Sequence, residues 1–291
     1  NDIAQSFHLL GRAQGARWSI SLHGVGHGDF HASTGSVATG PCLVGKPNTH
    51  TIMRGYLLAL AEHVVHGNIP AGDFLWRQWE SFKPIGAPLN ACVVVDLTAE
   101  GANDSTRTID DFQTNPAVNQ SSSGGAVGGT ALIVGEGLLN DIDTNFTWDG
   151  EVMSGFTWGP KNDLERGVVV EFDGSGDMDL SFTLIPQMQD ARNYRWLSFR
   201  ACQVTRHPLT TATLGDLTFA LTLTDLDNHS STVNIGAFGG GIEEPYQRTS
   251  CGTGAGWGNE FETIRIPLES FLDSVTDIDL SRIASVTFRF G

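Results

Sequence analysis

The stretch LTFALTLTD, residues 217–225, places Leu217, Phe219, Leu221 and Leu223 at every second position. That period of two belongs to a strand with one face in a core and the other toward polar surroundings. Phe261, Ile264 and Ile266 approximate the same pattern downstream. Working outward, further short strand candidates cover 91–97, 108–112, 130–135, 146–152, 167–172, 180–185, 194–204, 261–268 and 284–290. Turns rich in Gly, Asn and Asp separate them, and no helical periodicity intervenes. Short strands in such a series predict an antiparallel β-sandwich. The glycine-rich run SSSGGAVGG (121–129) reads as a loop near the first edge of that sandwich.

Upstream of KPIGAP (83–88) the pattern changes, and 1–86 reads as α/β. Residues 3–13 suit a helix, with Ile3, Phe7 and Leu10 on one face. Trp18, Ile20 and Leu22 alternate as a strand, and the loop 23–48 follows. Pro47, Asn48 and Thr49 then open a helix that Gly67 is placed to end. Within it Ile52, Met53, Tyr56, Leu57, Leu60, Ala61, Val64 and Val65 predict a wide apolar face. A shorter helix is expected over 71–82.

Composition narrows the function classes. The chain has 291 residues, 40% apolar and 17% charged, with 35 glycines and a net charge of −16. That charge repels phosphate backbones and anionic headgroups, so nucleic acid and membrane-surface partners are not expected. No apolar run approaches the roughly 18–20 residues that span a bilayer. Four widely spaced cysteines, none in a CxxC pair, suit an oxidising, extracytoplasmic setting, and the chain is expected to be secreted.

The later part resembles the galactose-binding-like jelly rolls of secreted enzymes. The residues that carry the resemblance are IDDFQTN, YRWLSFRACQV, FETIRIPLESF and the closing DLSRIASVTFRF. The first part resembles the closing segment of a secreted α/β-hydrolase of the esterase or lipase type. There RWSISLHGVGHGDFH (17–31) stands for the last strand and its loop, and NTHTIMRGYLLALAEHVVHGN (48–68) for the final helix. The two resemblances imply a two-part α+β chain, with a hydrolase segment over 1–88 and a jelly roll over 89–291. They further imply that His27 is the acid/base, with Asp2 the candidate acid of its triad. No Gly-x-Ser-x-Gly elbow occurs, so the nucleophile would lie on missing or partner sequence, in an N-terminal hydrolase polypeptide completing the sheet. The leading expectation is part of a secreted serine ester hydrolase acting on an ester or glycan substrate. The alternative is a non-enzymatic extracellular carbohydrate-binding or structural module.

Outside that pair of residues, Trp257 lies in CGTGAGWGNEF (251–261), where a loop indole could stack on a ligand, whereas Trp196 alternates with Leu197 and Phe199 as in a core strand. DGSGDMD (173–179) and TDLDNHS (224–230) offer oxygen ligands for structural calcium; no other cofactor is expected. His23, His27 and His31 would share one helical face, but the four glycines within 24–35 argue against a helix, so no metal site is expected there. Cys202 and Cys251 are expected to pair, leaving Cys42 and Cys92 for a second bridge unless Cys42 pairs outside the chain.

Overall fold

The computed structural model describes residues 17–22, 25–32, 44–76, 95–100, 106–112, 117–138, 166–204, 207–213, 215–238, 240–242, 244, 246–248, 256–258, 262–273 and 275–291. These are mostly antiparallel sheet with few helices, the arrangement of a β-sandwich.

Its main sheet has five strands in the order β3 (Val127–Gly129), β6 (Met178–Thr183), β13 (Ile283–Phe290), β8 (Ala220–Asp225) and β9 (Ser230–Asn234), and every pairing is antiparallel. The alternation seen in 217–225 has a direct structural consequence. Val127, Phe182, Val286, Leu223 and Ser231 form one row across all five strands, and Leu180, Phe288, Leu221 and Val233 form the next. Against these rows pack Leu197 and Phe199 of β7 (Trp196–Ala201) and Ile264 and Ile266 of β12 (Glu262–Pro267), which pair with each other. Phe199, Phe219 and Phe288 bring their rings to 5.0–6.0 Å of one another where the two sheets meet. On the opposite face of the main sheet, hydroxyls satisfy one another across the strands. Ser181 and Thr287 hydrogen-bond at 2.9 Å, and Thr222–Thr232 and Thr224–Ser230 at 2.8 Å. Thr222 is thereby buried without an unpaired oxygen. A further pair, β4 (Leu132–Leu138) with β5 (Arg166–Glu171), lies between β3 and β6 in the chain.

The glycine-rich run 121–129 is mostly turn, as expected, and ends in the edge strand β3. The candidate strand TIDDF (108–112) is not one. The Asp110 carboxylate accepts the amides of Phe112 and Ser122 at 3.0 and 3.2 Å, and Phe112 takes a positive φ of 52°. An aspartate that bonds its own chain two residues on makes a turn and withdraws those amides from a ladder. Burial pushes the Asp110 carboxyl above the ordinary carboxylate range despite these donors. The candidate strand at 146–152 and the helix at 3–13 lie outside the described residues.

In the first part, β1 (Arg17–Leu22) is a strand as its alternation predicts, but its partner differs from the expectation. The last strand of an α/β-hydrolase sheet lies parallel to its neighbour; β1 runs antiparallel to β2 (Val95–Glu100), with Trp18 opposite Ala99 and Leu22 opposite Val95. The ladder joins the chain before residue 88 to the chain after it, so β1 takes its hydrogen bonds from within this polypeptide. Nothing among the described residues supports an α/β-hydrolase segment.

Two helices pack on this strand. α1 (Lys46–His66) begins with Pro47 in its first turn and ends at Gly67, which adopts φ 64°, ψ 26° and returns its amide to the His63 carbonyl. Only glycine takes that left-handed conformation without cost, so the sequence stop signal is met. The buried face is narrower than expected. Thr49, Ile52, Tyr56 and Ala59, at spacings of three and four, pack with Val44 and Leu75 near Trp18 and Leu22, while Leu57, Leu58, Val64 and Val65 are 60–73% exposed. Burial drives the Tyr56 hydroxyl up to about 12. α2 (Ile69–Trp76) starts two residues before the predicted helix, whose last residues lie outside those described.

Candidate functional site

Two places carry the residues singled out by the sequence: the turn after β1 and the short strand that holds Trp257.

The turn after β1 is built around Asp29. His27–Asp29 form a single 3-10 turn, in which the amide of Asp29 bonds the Gly26 carbonyl at 2.9 Å and the Asp29 carboxylate accepts the Gly26 amide at 2.8 Å. Asp29 is 2% exposed and so acts as the internal brace of the turn. His27 stands on this turn, exposed, at the exit of a strand as expected. The aromatic ring the structure places beside it is that of His31, with centroids 4.7 Å apart and the rings inclined at 52°. Asp2, the expected acid, lies outside the described residues. In place of a helix, which the glycines disfavour, a tight 3-10 turn brings the two rings together.

Trp257 belongs to β11 (Gly256–Gly258), which pairs antiparallel with β10 (Tyr246–Arg248). It therefore lies in a short ladder rather than in an open loop. Its register partner is Gln247, while Gly256 and Gly258 stand opposite Arg248 and Tyr246. Sequence reading found the tryptophan and missed the glutamine, because nothing local links two positions on different strands. Trp196 sits on β7, half-buried, and carries the Arg265 guanidinium 4.6 Å from its ring centroid. That cation–π contact accounts for it within the fold.

The acidic clusters serve as turn braces. Asp225, 1% exposed, accepts the amides of Asp227 and His229 at 2.9 Å and of Asp279 at 3.0 Å, and lies 3.1 Å from the His229 ring nitrogen Nδ1. Asp179 accepts the amide and hydroxyl of Thr130, and Asp173 accepts the Ser175 amide. Among the described residues no group of three or more His, Cys, Asp or Glu side chains is placed to hold a metal ion. Of the cysteines, Cys202 is half-buried just past β7; its expected partner Cys251, and both Cys42 and Cys92 of the second expected bridge, lie outside the described residues. No described helix is long and apolar enough to cross a membrane.

No protein-family model matches the chain, and no curated protein matches it. Among solved structures, a family 11 carbohydrate-binding module from Clostridium thermocellum, in complex with a beta-1,3-1,4-mixed-linked tetrasaccharide, is similar over 62% of this chain and 84% of that one, at 14% identity and a TM-score of 0.33. A likeness so slight does not decide the fold, which rests on the strand pairing above.

Proposed function

We propose that this chain is a non-catalytic extracellular module that binds neutral carbohydrate, with Trp257 and Gln247 at its binding site. The observation that carries this reading is the β10–β11 register, which sets a tryptophan directly across from a glutamine with glycines on either side of the indole position. A pyranose offers a C–H face that indole rings stack on and a rim of hydroxyls that primary amides bond. The register supplies one residue of each kind at adjacent positions. The net charge of −16 favours a neutral glycan over an anionic one.

The ester-hydrolase reading gains no observation. Acyl transfer needs a nucleophile within hydrogen-bond reach of the imidazole and donors for the oxyanion. The ring beside His27 is another imidazole, and the strand before it enters an antiparallel ladder.

Isothermal titration against a panel of soluble neutral polysaccharides tests the proposal. The parent chain is expected to bind at least one of them. Trp257→Ala should raise its Kd by about ten-fold or more, the usual cost of removing an aromatic anchor, with an unchanged far-UV circular dichroism spectrum. Equal affinity of Trp257→Ala and the parent, or no binding by the parent to any member of the panel, overturns it.

A further inference from the structure

We propose that His27 and His31 form a two-imidazole site for a divalent transition metal ion, Cu2+ above all. The geometry follows from their ring separation. A metal–nitrogen bond of about 2.1 Å and a nitrogen-to-centroid distance of roughly 1.1 Å place an ion about 3.2 Å from the centroid of each ligating imidazole. With one nitrogen of each ring turned toward a shared ion, two centroids 4.7 Å apart would subtend an angle of about 95° there, close to that between adjacent ligands in a tetragonal site. Tetragonal nitrogen and oxygen coordination is the preference of Cu2+ and Ni2+, and Cu2+ binds such donors most tightly of the divalent first-row ions. Water would fill the remaining positions.

The surroundings favour the same ion. Both histidines are exposed, so ring rotation about their side-chain torsions costs little packing. The turn that holds them is fixed from inside by Asp29, whose carboxylate accepts the Gly26 amide. The site is thus braced by a hydrogen bond that metal binding need not break. The net negative charge of the chain raises the local concentration of cations. The proposal is independent of carbohydrate binding, since it uses neither Trp257 nor Gln247.

The test is a titration of the intact chain with Cu2+ as the chloride, read by electron paramagnetic resonance and calorimetry. One tight site per chain is expected, with hyperfine structure from two nitrogen ligands. His27→Ala and His31→Ala should each weaken it by about ten-fold or more, since a chelate becomes a single ligand. The chain has nine histidines, so His66→Ala and His229→Ala serve as controls and should leave the tight site intact. If an alanine variant fails to fold, modification of the parent with diethyl pyrocarbonate decides instead: Cu2+ should protect His27 and His31 together. Unchanged Cu2+ affinity in both alanine variants, a one-nitrogen signal from the parent, or modification of both rings at the same rate with and without Cu2+ overturns the proposal.

Discussion

Asp225→Ala is expected to reduce the unfolding free energy by about 3–4 kcal/mol, because a buried carboxylate with several donors leaves each of them unsatisfied when it is removed. Three backbone amides and the His229 ring converge on this side chain. Two of the amides belong to the turn between β8 and β9, and the third, from Asp279, belongs to the approach to β13. One carboxylate therefore ties the hairpin at one edge of the main sheet to its central strand. Asp225→Asn keeps one acceptor oxygen and should lose roughly half as much. The effect also depends on pH. Burial pushes the Asp225 carboxyl up, but the amides of Asp279, His229 and Asp227 with the His229 side chain outweigh it, and the net direction is down. A folded-state pKa below the unfolded value of about 3.9 gives stability that is fully present above that value and is lost as pH falls through the folded one. Urea unfolding at pH 7 and near pH 3 checks both statements. The parent should lose stability over that interval partly through this group, and Asp225→Ala should lose less. A loss under about 1 kcal/mol at pH 7 would mean that water or the His229 side chain replaces the carboxylate.

The same hairpin shows where sequence and structure part. β8 is legible because its apolar residues alternate without a break. β9 is not, because Ser230–Asn234 contains only one apolar residue, Val233, and its strand character comes from the ladder and from hydroxyls paired with Thr222 and Thr224. For the wide apolar stripe of 49–66, periodicity reports which residues share a face, and the neighbours available decide how much of it is covered. Among the described residues one strand, a short helix and the His27–Asp29 turn pack on α1, and Leu57 and Val65 of the stripe remain in water. The β1–β2 ladder leaves no trace in either segment, since antiparallel and parallel strands carry similar local patterns when their partner is unknown. At the candidate sites, glycine-rich sequence signals loop, whereas the backbone forms a 3-10 turn at His27–Asp29 and a short two-strand ladder at Gly256–Gly258. Residue type was legible in both places; the neighbour, His31 in one and Gln247 in the other, depended on backbone geometry.

Phe219→Ala is expected to cost about 3–5 kcal/mol, the range for deleting a buried phenyl ring from a core that relaxes only in part. Phe219 is 5% exposed just before β8. Its ring lies 5.2 Å from that of Phe290, 5.9 Å from Phe288 and 6.0 Å from Phe199. Phe290 stacks in turn on Phe172 at 4.4 Å, so the ring sits inside a chain of aromatics rather than at its end. Phe219→Leu retains most of the volume and should cost less than about half as much. Leu58→Ala, 64% exposed on α1, should change stability by no more than about 0.5 kcal/mol. The pair Phe219 and Phe199 carries the further point, because Phe199 lies on β7 in the second sheet. If the two sheets share one core, the double alanine variant should cost less than the sum of the singles, with a coupling of about 0.5–1.5 kcal/mol for adjacent rings. Urea unfolding with an unchanged m-value measures all four terms. Strict additivity, or two separate transitions in the single variants, would mean that β7 and β12 unfold apart from the five-stranded sheet. The sandwich would then be two weakly joined layers rather than one cooperative unit.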